Sequence, residues 1–281
     1  MSRLDRTFTL ALDRVFRGLV SRRVGVPVLM YHSISADEDE RSHPYYRTNT
    51  TPERFRMQMQ WLAEQGYAAK GLDAGLLENG QEGQKRVVIT FDDGFAGVAE
   101  NAAPILSQHG FTATVFLPTA FIADTRREFV GRPCLTWAEV RDLRSAGFSF
   151  GSHTAHHREL IRLPAEEMRR ELSESRERIE QEQGERVTTF SYPFAFPEAH
   201  RSFVQRFRSL LAETGYTKAV TTRIGTYRPG DDLLTIKRLP VNSDDDRALF
   251  AAKLRGAYNW MGGAQRVIKY AGRILGRRGA A

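Results

Sequence analysis

The 281-residue chain has a single cysteine, Cys134, so no disulfide framework can staple it. That residue is expected to be a buried structural thiol in a reducing compartment. No stretch approaches the roughly 18 apolar residues that a spanning helix needs. Residues 7–20 hold apolar clusters, but Asp13, Arg14 and Arg17 interrupt them, so a cleavable signal is not expected. The expected location is therefore the cytoplasm or the inner membrane surface. Internal repeats and low-complexity linkers are also missing, which excludes solenoid and tail-like architectures. Acids are absent from residues 247–281, which carry eight Lys or Arg, and residues 1–23 carry six Arg against two Asp. With a net charge of +7 for the whole chain, the middle is acidic. That excludes a catalytic face built to grip nucleic acid, and the ends show no base-reading motif. It leaves the basic ends facing an anionic surface or packing on the body.

At 41% hydrophobic, the chain can bury a sizeable core. Leu4, Phe8, Leu12, Val15, Phe16 and Leu19 recur at helical spacing and predict an amphipathic helix. Three fates are open for it: packing on the body, contact with anionic lipid, or contact with nucleic acid. Beyond it, strands and helices alternate. Strands are predicted over 24–31, 86–91, 112–117, 148–151, 188–191, 217–221 and 234–238. Helices are predicted from Pro52 to about Gln65 with Thr51 as N-cap, over 97–108, from Thr136 to about Ala146, from Pro164 to Gln183, and over 199–214. Repeated β-α units with short links imply a parallel sheet, and about seven strands in one domain suggest a distorted (β/α) barrel with added helices at both ends. The expected divisions are a basic N-terminal helix over 1–23, a catalytic domain over 24–246 and a basic helical extension over 247–281. In that extension Val267, Ile268, Ala271, Ile274 and Leu275 share one helical side.

Two fragments carry chemistry. Thr90-Phe91-Asp92-Asp93-Gly94 ends an apolar strand with paired carboxylates. Ser152-His153-Thr154-Ala155-His156-His157 follows another strand with two imidazoles four residues apart. A carboxylate with two imidazoles suits a divalent metal such as zinc, with positions left open. In a β/α barrel both fragments fall at the strand ends where active sites are built. Neighbours in extended chain point to opposite sides, so one Asp can bind metal while the other addresses water.

These fragments make the chain resemble the polysaccharide deacetylases, the family 4 carbohydrate esterases. The family's T-F-D-D-G is intact at 90–94, and its S-H-T-x-x-H-x-x-L matches Ser152 through Leu160. The resemblance spans roughly residues 24–240. It implies Asp92 as general base and Asp93, His153 and His157 as ligands of a divalent metal, zinc first, with cobalt, nickel or manganese as the others. Thr154 then steadies the loop between the imidazoles, and His156 falls on a variable position. The third family motif, R-x-P-Y or a Y-P-Y-G-like variant, stands here as Phe190-Ser191-Tyr192-Pro193-Phe194-Ala195, without its Arg. Tyr192, Pro193 and Phe194 are its candidate substrate and oxyanion residues. The late segment Leu234–Val241 shows no His proton donor, and His32, at the end of the first strand, is the substitute. The implied activity is metal-dependent removal of an N-acyl group, acetyl first, from an amino sugar in a polysaccharide or in its lipid- or nucleotide-linked precursor. A catalytically degenerate glycan- or partner-binding barrel and a carrier-linked sugar deformylase are the alternatives. Trp61, Trp137 and Phe150 are expected in the core. Tyr45 and Tyr46, in the polar loop over 34–50, are candidates for stacking on sugar.

Overall fold

The computed structural model describes residues 3–16, 25–37, 47–76 and 84–267. Its centre is a parallel sheet, most of whose strands are short apolar runs buried on both faces, as expected where helices cover a sheet. We label them β1 (Val28–Tyr31), β2 (Tyr67–Lys70), β3 (Lys85–Phe91), β4 (Thr114–Leu117), β5 (Ser149–Ser152), β6 (Thr189–Ser191), β7 (Lys218–Ile224) and β8 (Ile236–Pro240). Along the sheet, β3 to β8 neighbour one another in chain order, and β1 closes it into a ring between β8 and β3. The closing register pairs Leu29 with Leu239 and Val28 with Val88. β2 stays outside the ring, paired only to the first half of β3. The result is the expected distorted seven-stranded barrel, plus one strand whose polar, half-buried sequence gave no apolar signal.

Alternation along the strands sorts the interior into layers. Val28, Val88, Phe116, Val220 and Ile236 form one apolar cluster low in the barrel. Two residues further along the same strand faces come Thr90 and Arg238, then Asp92 at the mouth. His32 has the same parity as Val28 and so belongs to that inward set. The outer strand faces pack under α2 (Pro52–Glu64), α3 (Trp137–Ser145), α4 (Ala165–Gln183) and α5 (Arg201–Glu213). Trp61, Trp137 and Phe150 all lie in that outer core. Cys134 is buried too, and burial pushes its thiol up to about 12, an inert group.

Local chemistry set most boundaries. The Thr51 side chain caps α2, and Thr136 with Glu139 forms a reciprocal capping box on α3. The helix expected over 97–108 is instead a π turn, Val98–Ala102, followed by Ala103–Ser107. Pro104 lacks the N–H that would bond to Glu100, and the Ala103 N–H reaches Val98 instead. A hairpin over Glu128–Phe129 and Arg132–Pro133 went unpredicted; it turns through Val130 and Gly131, both with positive φ.

The ends differ from expectation. The helix α1 (Leu4–Phe16) does pack on the body, but through its polar side. Its Leu4, Phe8 and Val15 are exposed. The segment expected as an extension from 247 begins with α6 (Arg247–Leu254), in which Leu249, Phe250 and Leu254 are buried, as is Tyr258 beyond it. Tyr45, Tyr46, Ile268, Ala271, Ile274 and Leu275 lie outside the described residues. Among the described residues no helix is long and apolar enough to cross a membrane.

One buried pair ties α6 to the barrel. Lys253, 2% exposed, donates to the Pro240 carbonyl and to Asp245 Oδ2, both at 2.6 Å. Lys253→Met leaves the buried Asp245 carboxylate to Arg3 and the Asn242 N–H, and is expected to lower stability by about 3 kcal/mol in urea unfolding.

Candidate active site

The site is built where β1, β3, β5 and β6 deliver their last residues to one mouth. β3 ends at Phe91, and the next residues are Asp92, 2% exposed, and Asp93, 8% exposed. Asp93 (φ 69°) and Gly94 (φ 59°) both take the left-handed conformation. The chain turns sharply there, so the two carboxylates leave the strand in different directions. A side chain at Gly94 would also strike Leu117 Cδ2 at 2.9 Å, which is why the fragment ends in glycine.

Beyond β5, a run of hydrogen bonds shapes the imidazole loop. The Thr154 N–H donates to Ser152 Oγ, and the His157 N–H donates to Thr154 Oγ1 at 2.9 Å. Thr154 (φ 68°) and His157 (φ 52°) are again left-handed. The loop turns His153 and His157 inward, rings 4.8 Å apart. It turns His156 outward onto Glu171, which accepts from both its N–H and its ring. His156 therefore stands apart from the His153–His157 ring pair.

Asp93, His153 and His157 offer one ligand atom each, all within 4.8 Å of one another. Both His Nε2 atoms stand 3.4 Å from Asp93 Oδ1. Two further features fit a cation there. His153 Nδ1 lies 2.7 Å from the Ser191 carbonyl, which fixes the proton on Nδ1 and frees Nε2. Asp93 Oδ1 is buried without a hydrogen-bond donor. Burial opposes ionisation of Asp93, but His153, His32 and His157 hold it below the usual carboxylate range. Burial and the nearby His153 push His157 down to about 4, so it is a neutral imidazole at pH 7, the form a metal needs. Burial also works against a charged His153, and Asp92 and Asp93 reverse the balance and raise it.

Asp92 is held by a residue that the sequence reading passed over. Arg238, fully buried on β8, grips it in a bidentate pair, Nη1 to Oδ1 at 2.8 Å and Nη2 to Oδ2 at 2.7 Å. The remaining guanidinium donors go to the Thr221 carbonyl, Thr90 Oγ1 and Ser191 Oγ. All five N–H groups are therefore used. Burial disfavours the Asp92 anion, yet Arg238 drives its carboxyl well below the usual range. Ser191 Oγ also donates to Asp92 Oδ1 at 3.0 Å. The Arg missing from the third motif is thus supplied by another strand. The available signal was a charge at inward parity in the apolar strand LTIKRLPV.

The other candidates divide. His32 directly follows β1, at the end of the barrel where Asp92 and Asp93 follow β3. Phe194 (φ 60°) is half exposed, its ring 4.7 Å from that of His157, and Pro193 is buried beside it. Tyr192 corrects the expectation. Its ring is 1% exposed and packs edge-on against Phe196, Phe203 and Phe207, so it offers no side chain to the cleft. Its neighbour Pro193 turns the chain back to the mouth. Phe129, from the unpredicted hairpin, forms the opposite wall 4.9 Å from His157.

A sequence profile of the polysaccharide deacetylases matches residues 79–219, about half of the chain and all of the carboxylate–imidazole cluster. The chain belongs to the polysaccharide deacetylase family. A Bacillus subtilis protein named for the same family, YxkH, is 26% identical over 230 residues, covering 81% of this deacetylase and 75% of the relative. The crystal structure of BC0361, a polysaccharide deacetylase from Bacillus cereus, is 27% identical with a TM-score of 0.65, covering 82% of this chain and 69% of that one. The Streptococcus pyogenes deacetylase PplD, solved with acetate, shares the fold at 22% identity and TM-score 0.69, covering 82% and 98%. The matched profile begins after His32 and ends before Arg238.

Lysine cannot reproduce a five-donor planar fork. Arg238→Lys is expected to cut kcat of deacetylation at least about 100-fold through a misplaced Asp92, with KM and bound-metal content near wild type in steady-state and elemental measurements.

Proposed function

We propose that this deacetylase is a metal-dependent N-deacetylase of amino sugars, acting on a polysaccharide or on its lipid- or nucleotide-linked precursor. The observation that carries the reading is the ionised, fully clamped Asp92 beside the three-residue cluster of Asp93, His153 and His157. Those three would hold the metal, zinc by the chemistry of one carboxylate and two imidazoles. When bound, it supplies positive charge at the reacting acyl carbonyl and raises the acidity of water there.

The chain's own residues do the rest. Asp92 takes a proton from the attacking water at a carboxylate oxygen, while Arg238 and Ser191 keep that oxygen aimed. The water oxygen bonds to the acyl carbon, and the Phe194 N–H donates to the oxyanion that forms. The C–N bond then breaks as His32 delivers a proton to the departing amine, leaving a carboxylic acid and a free amino sugar. The exposed ring of Phe194, between solvent and His157, gives the sugar an apolar face to rest on.

Three measurements check this. Dialysis against a strong chelator should abolish acetate release, and zinc or cobalt should restore it. Asp92→Asn should lose about 100- to 10,000-fold in kcat while retaining its metal; turnover near wild type would remove Asp92 from the base role. His32→Ala should be crippled on an N-acetyl amine yet nearly normal on an aryl acetate, whose leaving group departs without a proton. Equal losses on both would exclude His32 as the acid.

A further inference from the structure

The helix α1 is mounted inside out. Its polar residues grip the body: Arg3 pairs with Asp245, Arg6 with Asp246, and Asp13 with Arg255. Asp5 accepts from the Tyr258 hydroxyl, and Thr9 accepts from Trp260 Nε1. The outward side is then Leu4, Thr7, Phe8, Ala11, Arg14 and Val15, all exposed. Leu4 is 78% and Val15 68% exposed, and Phe8 is half exposed with its edge against Trp260. Positions 4, 8, 11 and 15 form one continuous stripe along the helix. Both acids of α1, Asp5 and Asp13, are turned inward, so the outward side carries Arg14 and no acid. Val267, 69% exposed, is the last described residue of the helical segment that begins at Trp260.

We propose that this side of α1 is a docking surface for an anionic lipid bilayer, with the helix lying in the plane of the headgroups. A soluble chain has no use for a full apolar stripe facing water. Charge selects the occupant: Arg14 is the one charge on the outward side of α1, and in sequence the adjoining residues 17–24 and 268–281 hold seven Lys or Arg and no acid. A second copy of the same basic surface would set Arg14 against Arg14, whereas an anionic headgroup layer neutralises it while the stripe enters its apolar edge. The anchoring also has a direction. Asp245 and Asp246 follow the C-terminal end of β8, the same end of the barrel as Asp92, so the start of α1 is pinned on the mouth side.

The test is vesicle flotation of the full chain, with phosphatidylcholine alone or mixed with phosphatidylglycerol. The wild type should float with the mixed vesicles and not with phosphatidylcholine alone. The double variant Leu4→Ser with Val15→Ser should bind at least tenfold more weakly. Its thermal midpoint and acetate release from a soluble substrate should be unchanged, because neither side chain packs in the core. Wild type that stays unbound on the mixed vesicles overturns the proposal. So does a double variant that binds equally well, or a wild-type dimer in sedimentation that the double variant splits, which would assign the stripe to a second copy.

Discussion

The active site depends on one buried ion pair. Arg238 is fully buried and Asp92 2% exposed, so neither charge is solvated by bulk water. Such a pair is stable only when its geometry is good and its spare donors are satisfied. Both conditions hold, because the guanidinium divides five N–H groups between Asp92, Ser191, Thr90 and the Thr221 carbonyl. Those acceptors lie on or beside three different strands. The pair therefore ties β8, across β1, to the strand that carries the carboxylates, and the Thr221 carbonyl brings in β7. It also holds the Asp92 carboxyl well below the usual carboxylate range, so the anion is its resting form at neutral pH.

Ser191 links this pair to the cation cluster. Its hydroxyl bridges Asp92 and Arg238, while its carbonyl fixes the His153 ring. A single residue on β6 thus sets both the aim of Asp92 and the tautomer of His153. β6 is only three residues long; all three pair with β7, whereas it meets β5 through one register pair. The packing of Phe190 and Tyr192 against Phe207 adds to that ladder.

Backbone strain is concentrated at the same place. Among the described residues, five that are not glycine have positive φ, and four of them are Asp93, Thr154, His157 and Phe194. Each such conformation costs of order 1–3 kcal/mol and persists only where the surroundings impose it. Here the imposing groups are visible: Thr154 Oγ1 on the His157 amide, Ser152 Oγ on the Thr154 amide, and Thr222 Oγ1 against the Phe194 carbonyl. The fold thus holds its two imidazoles, one carboxylate and one aromatic wall in conformations that the free chain would rarely visit.

The sequence by itself determined the barrel and the four central side chains. Apolar runs of strand length alternating with capped helices admit few architectures, and two carboxylates and two imidazoles at strand ends have little purely structural use. Arg238, the inverted mounting of α1 and the burial of Tyr192 were decided only by tertiary structure. Arg238 and Asp92 are 146 residues apart, and only closure of the ring brings β8 next to β1 and sets them face to face. The helical periodicity of α1 marks two faces but not which one turns inward; that depends on whether the body offers an apolar groove or, as here, Asp245, Asp246 and Arg255. Tyr192 sits next to Pro193 in sequence, yet alternation along the strand sends its ring to the outer core while its neighbour returns to the mouth. Local pattern fixes periodicity and residue type, whereas partners distant in the chain are chosen by the long-range pairing that closes the barrel.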